Sequence, residues 1–256
     1  MASLSIATVE QGAWRAWVRV ALIVLALMLC IAPHLLWRRL GIHSPWGAWF
    51  LALAGKAAGA DVQTRGIAVK SDVLYIANHV SWLDILVLAG KTRCAFVAKA
   101  DMEPWPVLGW LATLNNSVYV QREKRLDVNA QAEAIRAALA THQPITLFPE
   151  GTTGNGNLLL PFRSSLVAAV VPPPRDITIQ PVAIDYGSAA SEIAWVDDDE
   201  SVGINALRVM SRKGRMPVVL HFLDPLPASD FADRKLVASH SRSVIAAALG
   251  QADPPQ

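Results

Sequence analysis

The sequence predicts an α/β fold in which helices cover a mixed, largely parallel sheet, and an apolar helical hairpin precedes that sheet. Of the 256 residues, 53% are hydrophobic and 17% are charged, whereas soluble domains carry about 25% charged residues. The apolar excess is concentrated in residues 1–60. From residue 61 onwards, short apolar runs alternate with helical ones, which is typical of α/β proteins. We therefore divide the chain into residues 1–60 and a folded domain, residues 61–256.

The amino-terminal part has the composition of a membrane anchor. No Asp, Glu, Lys or Arg occurs from Val20 to Trp37. As a helix this run measures about 27 Å, slightly less than the roughly 30 Å hydrocarbon core of a bilayer, and Pro33 predicts a bend near its end. Side chains that favour the headgroup region flank the run. They are Trp14, Arg15, Trp17, Arg19, Trp37, Arg38 and Arg39.

A second apolar run, residues 46–60, is interrupted only by Lys56 and follows a turn predicted at residues 41–45. A membrane-associated helical hairpin in one leaflet and one transmembrane helix both fit these lengths. Arginines on both sides leave the orientation open. No small-residue cleavage site follows Trp37, which argues against a secretory signal. We therefore expect residues 1–60 to be a retained membrane anchor.

The folded domain is predicted to contain six strands and four helices. Several strands are apolar at nearly every position, as expected for strands covered on both faces. The predicted strands are Val73–Ala77, Cys94–Ala98, Ser117–Gln121, Pro144–Phe148, Ile177–Ile184 and Pro217–Leu223. The predicted helices are Ser81–Leu88, Asp127–Thr141, Arg163–Val171 and Ser229–Leu249. The acidic run at 197–200 is expected to be a solvated loop.

Several classes of function are excluded by composition and by absent motifs. The net charge of +2 is too balanced for a protein that binds the nucleic-acid backbone. Cys30 and Cys94 cannot form a disulfide framework, and no Cys/His cluster suggests zinc. There is no nucleophile elbow, phosphate loop or zinc-protease helix. The glycines at 151–156 stand in the wrong order for a dinucleotide fingerprint.

The strongest local signal is His79 followed by Asp84, directly after the strand that ends at Ala77. In α/β sheets, ligands bind at the carboxyl ends of strands. Ser81 and Asp84 resemble a capping box, which would leave His79 outside the helix and free to fold back onto the Asp84 carboxylate. A carboxylate on one ring nitrogen makes the other nitrogen a base for a substrate hydroxyl. Taken alone, a helix cap beside a loop histidine fits equally well.

Four ordered motifs make the chain resemble the glycerolipid acyltransferase family, which includes the 1-acyl-glycerol-3-phosphate acyltransferases. The resemblance covers roughly residues 60–190. A lysine, Lys99, also stands where the family has one. The four motifs are Asn78-His79-x-x-x-x-Asp84, Asn116-Ser-Val-Tyr-Val-Gln-Arg122, Phe148-Pro-Glu-Gly-Thr152 and Gln180-Pro-Val-Ala-Ile184.

The resemblance implies that residues 61–256 are an acyltransferase domain with His79 as general base and Asp84 as the group that orients it. A thioester of coenzyme A or of an acyl carrier protein would be the acyl donor. Lys99 and Arg122 would receive the acceptor's phosphate, chemistry that suits an ammonium and a guanidinium group. No metal or bound cofactor is implied.

The third motif would supply the remaining substrate contacts. By the same resemblance, Gly151 and Thr152 would offer backbone and hydroxyl donors. Glu150 cannot receive a phosphate, and we expect it to bind a glycerol hydroxyl or to hold a basic side chain.

Two departures from the family pattern bear on the acceptor. Asn116 stands where the family often has glycine, and Thr153 stands where it has arginine. Arg163 is a candidate replacement. The Glu-Gly-Thr-Thr variant also resembles relatives that acylate lyso-ornithine lipid, whose amino-acid head carries no phosphate.

Lysophosphatidic acid, giving phosphatidic acid, is the first expectation for the acceptor. Lyso-ornithine lipid is the alternative, and a non-catalytic membrane lipid-binding protein is the second alternative. The expected location is the inner (cytoplasmic) membrane, with the active site on the cytoplasmic side. The expected partners are the bilayer, the lysolipid and the acyl donor.

Overall fold

The computed structural model describes residues 2–42, 44–99, 115–120, 137–138, 141–168, 170–171, 173, 176–196 and 200–251. The described helices are α1 Ala2–Arg39, α2 Trp46–Ala58, α3 Leu83–Thr92, α4 Ser164–Val167, α5 Ala190–Ile193, α6 Val202–Ser211 and α7 Arg234–Ala248, with 3-10 turns at Gly187–Ala189 and Ala228–Ala232. The described strands are β1 Ala60–Arg65, β2 Val73–Ala77, β3 Ala95–Lys99, β4 Val118–Val120, β5 Ile145–Leu147, β6 Thr178–Asp185 and β7 Met216–Phe222.

These strands form one seven-stranded sheet with the order β1-β7-β6-β2-β5-β3-β4. Neighbouring strands are parallel except for β6 and β7, which are antiparallel. The predicted fold class, a mixed and largely parallel sheet, is therefore confirmed. The central strand β2 is buried at every position, because both of its faces are covered. The carboxyl ends of β6, β2, β5, β3 and β4 meet at one edge of the sheet, and the site described below lies there.

The structure also corrects several element predictions. Strand β1 was not predicted, because only its first residue is buried and its sequence is mostly polar. Helices α5 and α6 were not predicted either. The predicted helix Arg163–Val171 is a single turn, α4, and the predicted helix Asp127–Thr141 lies almost entirely outside the described residues. Glu200 of the acidic run is partly buried, because it is ion-paired with Arg208 and accepts a hydrogen bond from Asn205 Nδ2; residues 197–199 lie outside the described residues.

The two amino-terminal helices pack against the folded domain. Ala26 and Cys30 of α1 belong to the same buried cluster as Ala54 of α2 and the residues Val73, Tyr75 and Ala77 on one face of β2. Helix α2 continues almost directly into β1 and lies against α3. At Gly90 of α3 an added Cβ would lie 2.7 Å from the Cα of Ala52, so the two backbones are too close for a larger residue.

Helix α1 continues through Pro33 and is longer than the charge-free run predicted. Its segment Gly12–Arg39 has 28 residues, and an 18-residue stretch within that segment has a mean hydropathy of 2.5 and is 17% buried. By length and composition it is the one helix among the described residues that could cross a membrane. Helix α2, with 13 residues, is too short to do so. The exposed apolar side chains of the two helices include Trp14, Trp17, Leu25, Met28, Leu29, Leu36 and Trp49.

Candidate active site

The structure brings His79 and Asp84 into contact at the carboxyl end of β2. His79 Nδ1 lies 2.8 Å from Asp84 Oδ2, and the Asp84 side chain is completely buried. A carboxylate can only accept, so Nδ1 carries the proton and Nε2 keeps its lone pair. The His79 side chain remains 17% exposed. The ring therefore has one nitrogen fixed by the protein and one available to a substrate hydroxyl.

Other His–Asp pairs in the chain lack this setting. His142 pairs with Asp72 at 2.8 Å, but their side chains are 64% and 34% exposed. His240 pairs with Asp230 at 2.7 Å, away from the carboxyl ends of the parallel strands. A third pair, His221–Asp185, is longer at 3.7 Å, and its Asp185 side chain is 36% exposed. Complete burial of the carboxylate, together with its position after β2, therefore distinguishes the His79 pair, since the Asp230 side chain is 11% exposed.

The sequence of the loop after β2 explains how the ring is held. Asp84 lies in the first turn of α3, and its Oδ2 also accepts hydrogen bonds from the backbone N–H groups of Val80 and Ser81, at 2.7 and 2.9 Å. Half of the predicted capping box is therefore present, namely the hydrogen bond from Ser81 N to the Asp84 side chain. The other half is absent, because Ser81 Oγ accepts from Leu83 N rather than from Asp84 N. The loop wraps around the carboxylate and turns His79 back onto it.

Strand β6 contributes two contacts to this loop, and the sequence predicted neither. Tyr186, one residue after β6, donates from its hydroxyl to Asp84 Oδ1 at 2.5 Å. Burial and the adjacent Asp84 raise the pKa of Tyr186, so its hydroxyl stays a donor. Asn78 bonds with both the N–H and the carbonyl of Ile184, at 2.7 and 3.0 Å. The sequence feature that could have indicated these two residues is their position, since each directly follows a strand at the edge of the sheet where ligands bind.

The His79 ring is also supported by an aromatic stack. Its centroid lies 4.1 Å from the Phe148 ring with an interplanar angle of 10°. Phe148 in turn stacks on Phe96 of β3, with the centroids 5.8 Å apart. The first residue of the third motif therefore fixes the plane of the imidazole.

Glu150 lies beside His79, on the turn after β5, and is 3% exposed. Its Oε1 accepts from the backbone N–H of His79 at 2.6 Å, and its Oε2 accepts from that of Leu160 at 3.1 Å. Burial raises the pKa of Glu150 to about 8, and these two hydrogen bonds oppose the shift. Both oxygens thus bind backbone groups, contacts that the sequence did not predict, and the Arg242 guanidinium also acts to lower the pKa of Glu150. The expected contact with a glycerol hydroxyl or a basic side chain stays a prediction.

The residues after Glu150 shape the wall of the site. Gly151 has a φ of 77°, which favours glycine, and its N–H donates to the Phe148 carbonyl. The Thr152 side chain is exposed. Thr153 is buried and donates to the carbonyl of Trp195, while Gly154 N–H donates to the carbonyl of His79 at 2.8 Å.

The two predicted phosphate ligands have different outcomes. Lys99 is the last residue of β3 and is in register with Val120 of β4. It therefore ends at the same edge of the sheet as His79 and Glu150. Arg122 lies outside the described residues. The candidate replacement Arg163 is exposed, and its N–H donates to the carbonyl of Pro149.

A cavity of about 240 Å³ opens beside His79. Among the described residues, its titratable lining side chains besides His79 are the carboxyl groups of Glu150 and Asp185 and the phenol of Tyr186. Leu158, Leu159 and Leu249 provide apolar surface. Within the described ranges, no group of three or more His, Cys, Asp or Glu residues could hold a metal ion.

The sequence of the chain is similar to those of known acyltransferases. Residues 60–185 match the acyltransferase family. A lyso-ornithine lipid O-acyltransferase of Rhizobium meliloti is 35% identical over 87% of this chain and 82% of the relative, and one of Rhodobacter capsulatus is 31% identical over 90% and 87%. A 1-acyl-sn-glycerol-3-phosphate acyltransferase of Neisseria gonorrhoeae is 34% identical over 72% and 71%.

The fold has a match among solved structures. The lysophosphatidic acid acyltransferase PlsC of Thermotoga maritima superposes with a TM-score of 0.65 over 96% of this chain and 95% of that chain, at 20% identity. The matched family segment, and relatives that are matched over more than four fifths of their length, show that this protein is an enzyme. The chain belongs to the acyltransferase family, as its four ordered motifs predicted.

Proposed function

We propose that the protein moves a fatty acyl group from an acyl thioester to the free hydroxyl of a lysolipid, and that its acceptor is a lyso-ornithine lipid. The His79–Asp84 pair, with a completely buried carboxylate and with His79 lining a cavity, carries the proposal. Acyl-coenzyme A and acyl carrier protein are the two candidate donors. The reaction needs no group beyond these substrates and the side chains of the site.

In the proposed reaction His79 is the general base. Its Nε2 takes the proton of the lysolipid hydroxyl while the hydroxyl oxygen attacks the carbonyl carbon of the thioester. Asp84 stabilises the resulting imidazolium and holds the ring in the required tautomer. When the tetrahedral intermediate collapses, the carbon–sulfur bond breaks and the leaving thiolate takes the proton back from His79. The products are the diacyl lipid and the free thiol.

The choice of acceptor is supported by charge. Asp185 lines the cavity, and its Oδ2 lies 3.7 Å from His221 Nε2. Its carboxylate would repel a phosphate monoester more strongly than a zwitterionic amino-acid head, whose ammonium group it attracts. The third motif also lacks its usual arginine, and the Thr153 hydroxyl that replaces it is directed to a backbone carbonyl. Lysophosphatidic acid remains the competing acceptor, because relatives with that activity in their names cover most of the chain.

A competition assay tests both parts of the proposal. Purified protein receives a radiolabelled acyl thioester with equal amounts of lyso-ornithine lipid and lysophosphatidic acid. We expect the labelled product to be mainly the ornithine lipid. His79→Ala should lower the rate by at least about a thousandfold, while the matched control His142→Ala should keep the wild-type rate. Labelled phosphatidic acid as the main product would overturn the acceptor, and an active His79→Ala variant would overturn the base.

The apolar helix α1 and the lipid acyltransferase relatives indicate that the protein associates with a membrane. We propose attachment to one leaflet. Arg15 and Arg19 of α1 donate to the carbonyls of Ser211 and Gly214, at 2.8 Å in each case. The segment of α1 around Arg15 and Arg19 is therefore held against the folded domain, while the helix also carries exposed apolar side chains.

This arrangement has a direct test in sealed vesicles. An amino-terminal tag should be cleaved by added protease on the same side of the membrane as the folded domain. A tag protected inside vesicles whose folded domain is outside would show that α1 spans the bilayer. We further propose the cytoplasmic face of the inner membrane, where acyl thioesters are available.

A further inference from the structure

Tyr186 has a place in the site that the proposed reaction does not yet use. It lies directly after β6, 102 positions along the chain from Asp84, and its side chain is 1% exposed. Its hydroxyl donates to Asp84 Oδ1 at 2.5 Å. Burial of a polar hydroxyl is unfavourable without a partner, so the contact is a built feature of the core rather than a surface encounter.

The four hydrogen bonds of Asp84 are divided unequally between its two oxygens. Oδ2 accepts from His79 Nδ1, Val80 N and Ser81 N, all of them from its own loop. Oδ1 accepts from Tyr186. Each carboxylate oxygen has about two lone-pair positions, so Oδ2 is fully occupied and Tyr186 is the donor to Oδ1 among the described residues. Tyr186 therefore supplies the hydrogen bond that fixes the second oxygen and, with it, the rotation of the carboxylate plane.

We propose that Tyr186 is a positioning residue that tunes the base strength of His79 through Asp84. The inference rests on the proposed function. A hydrogen bond to an anion stabilises the anion and lowers its proton affinity. The Tyr186 hydroxyl therefore draws charge towards Oδ1 and weakens the attraction of Asp84 for a protonated His79. It keeps the carboxylate aligned with the ring while preventing the imidazole from becoming too strong a base to release its proton.

The test compares two buried tyrosines. In Tyr186→Phe the carboxylate loses one donor, so the pKa of His79 rises by roughly half a pH unit, and kcat falls about tenfold with little change in KM. Tyr75→Phe is the matched control, because Tyr75 is equally buried and its hydroxyl donates to the carbonyl of Val69 instead of to Asp84. It should lose stability to a similar degree and leave the His79 pKa unchanged.

Two readouts report this effect separately. The His79 pKa is measured by NMR of 13C-labelled histidine, with the His79→Ala spectrum as assignment, so it does not depend on turnover. The acid limb of the pH profile of kcat/KM reports the same group during catalysis. An upward shift in both for Tyr186→Phe alone supports the inference. If Tyr186→Phe and Tyr75→Phe shift the pKa equally, or neither does, Tyr186 is a packing residue only.

A second variant keeps the test decisive if Tyr186→Phe does not fold. A fluorinated tyrosine placed at position 186 retains the shape and donates more strongly, so it should shift the His79 pKa downward. An unchanged or raised pKa would overturn the inference. If the wild type shows no acyltransferase activity but the variants still change the His79 pKa measured by NMR, the result counts against the proposed function and not against this inference.

Discussion

Two buried carboxylates lie at the carboxyl ends of the neighbouring strands β2 and β5, and the chain satisfies them in different ways. Asp84 accepts four hydrogen bonds, three of them from its own loop. Glu150 accepts two, from the backbones of His79 and Leu160, which belong to separate segments. Asp84 therefore serves one imidazole ring, while Glu150 joins the loops that surround it. The first is placed to act on the reaction and the second on the shape of the site.

The largest expected effect comes from removing the charge of Asp84. In Asp84→Asn the amide oxygen can keep the three loop donors while the NH₂ group faces the Tyr186 oxygen, so the fold should survive. The variant no longer stabilises a protonated His79, and we expect kcat to fall on the order of a thousandfold or more. Steady-state kinetics and a thermal melt measure the two parts. Asp72→Asn, which alters the exposed His142 pair, is the control and should retain activity. A nearly active Asp84→Asn variant would remove the distinction between the two carboxylates.

The sequence predicted both Asp84 and Glu150 as site residues, but it predicted the contact partner of Asp84 better than those of Glu150. The difference lies in how far apart the partners are along the chain. The His79–Asp84 contact is local, spanning five positions. The capping pattern therefore allowed the ring to fold back, and the family resemblance favoured this over a plain helix cap beside a loop histidine. The partners of Glu150 lie 71 and 10 positions away, and those of Tyr186 and Asn78 lie more than 100 positions away. Such contacts depend on which strands are neighbours in the sheet. Periodicity predicted the strands β2, β5 and β6, but not their order.

The edges of the molecule were the least predictable part of the fold. Strand β1 has a polar sequence because it lies at the edge of the sheet beside β7, where one side of it has no partner strand. Helix α6 follows the acidic run that was expected to be solvated. Glu200 instead pairs with Arg208 of that helix, a contact visible only after the helix has formed.

A smaller effect on turnover, together with a distinct pH signature, is expected from Glu150→Gln. In the wild type each Glu150 oxygen accepts from a backbone N–H. In the variant the amide NH₂ replaces one of these oxygens and cannot accept, so one loop contact is lost and activity should fall about tenfold. Because burial raises the pKa of Glu150 to about 8 from its usual value near 4.5, the folded protein binds this proton more tightly than the unfolded chain. Its contribution to stability is therefore complete below about pH 4.5 and is lost as the pH rises towards 8.

Thermal melts of both proteins across this range measure that signature. The wild type should lose melting temperature between pH 5 and 8 and Glu150→Gln should lose less, so the melting temperature of the wild type should fall relative to that of the variant as the pH rises. Glu192→Gln, which changes an exposed carboxylate paired with Arg212, is the control and should follow the wild type. A wild-type melting temperature that stays level or rises relative to that of Glu150→Gln would show that burial does not keep Glu150 protonated in the folded protein.

The smallest expected effect separates two adjacent threonines on the Glu150 side of the site. Thr152 is exposed, whereas Thr153 is buried and bonded to the Trp195 carbonyl. If Thr152 donates to the lysolipid, Thr152→Ala should raise KM about threefold and leave kcat and the melting temperature unchanged, because one exposed hydroxyl is removed. Thr153→Ala should instead lower the free energy of unfolding by about 1 kcal/mol. A Thr152→Ala variant with unaltered KM would mean that the Glu150 turn contacts the substrate through its backbone alone, and the division of roles between the two carboxylate loops would be sharper still.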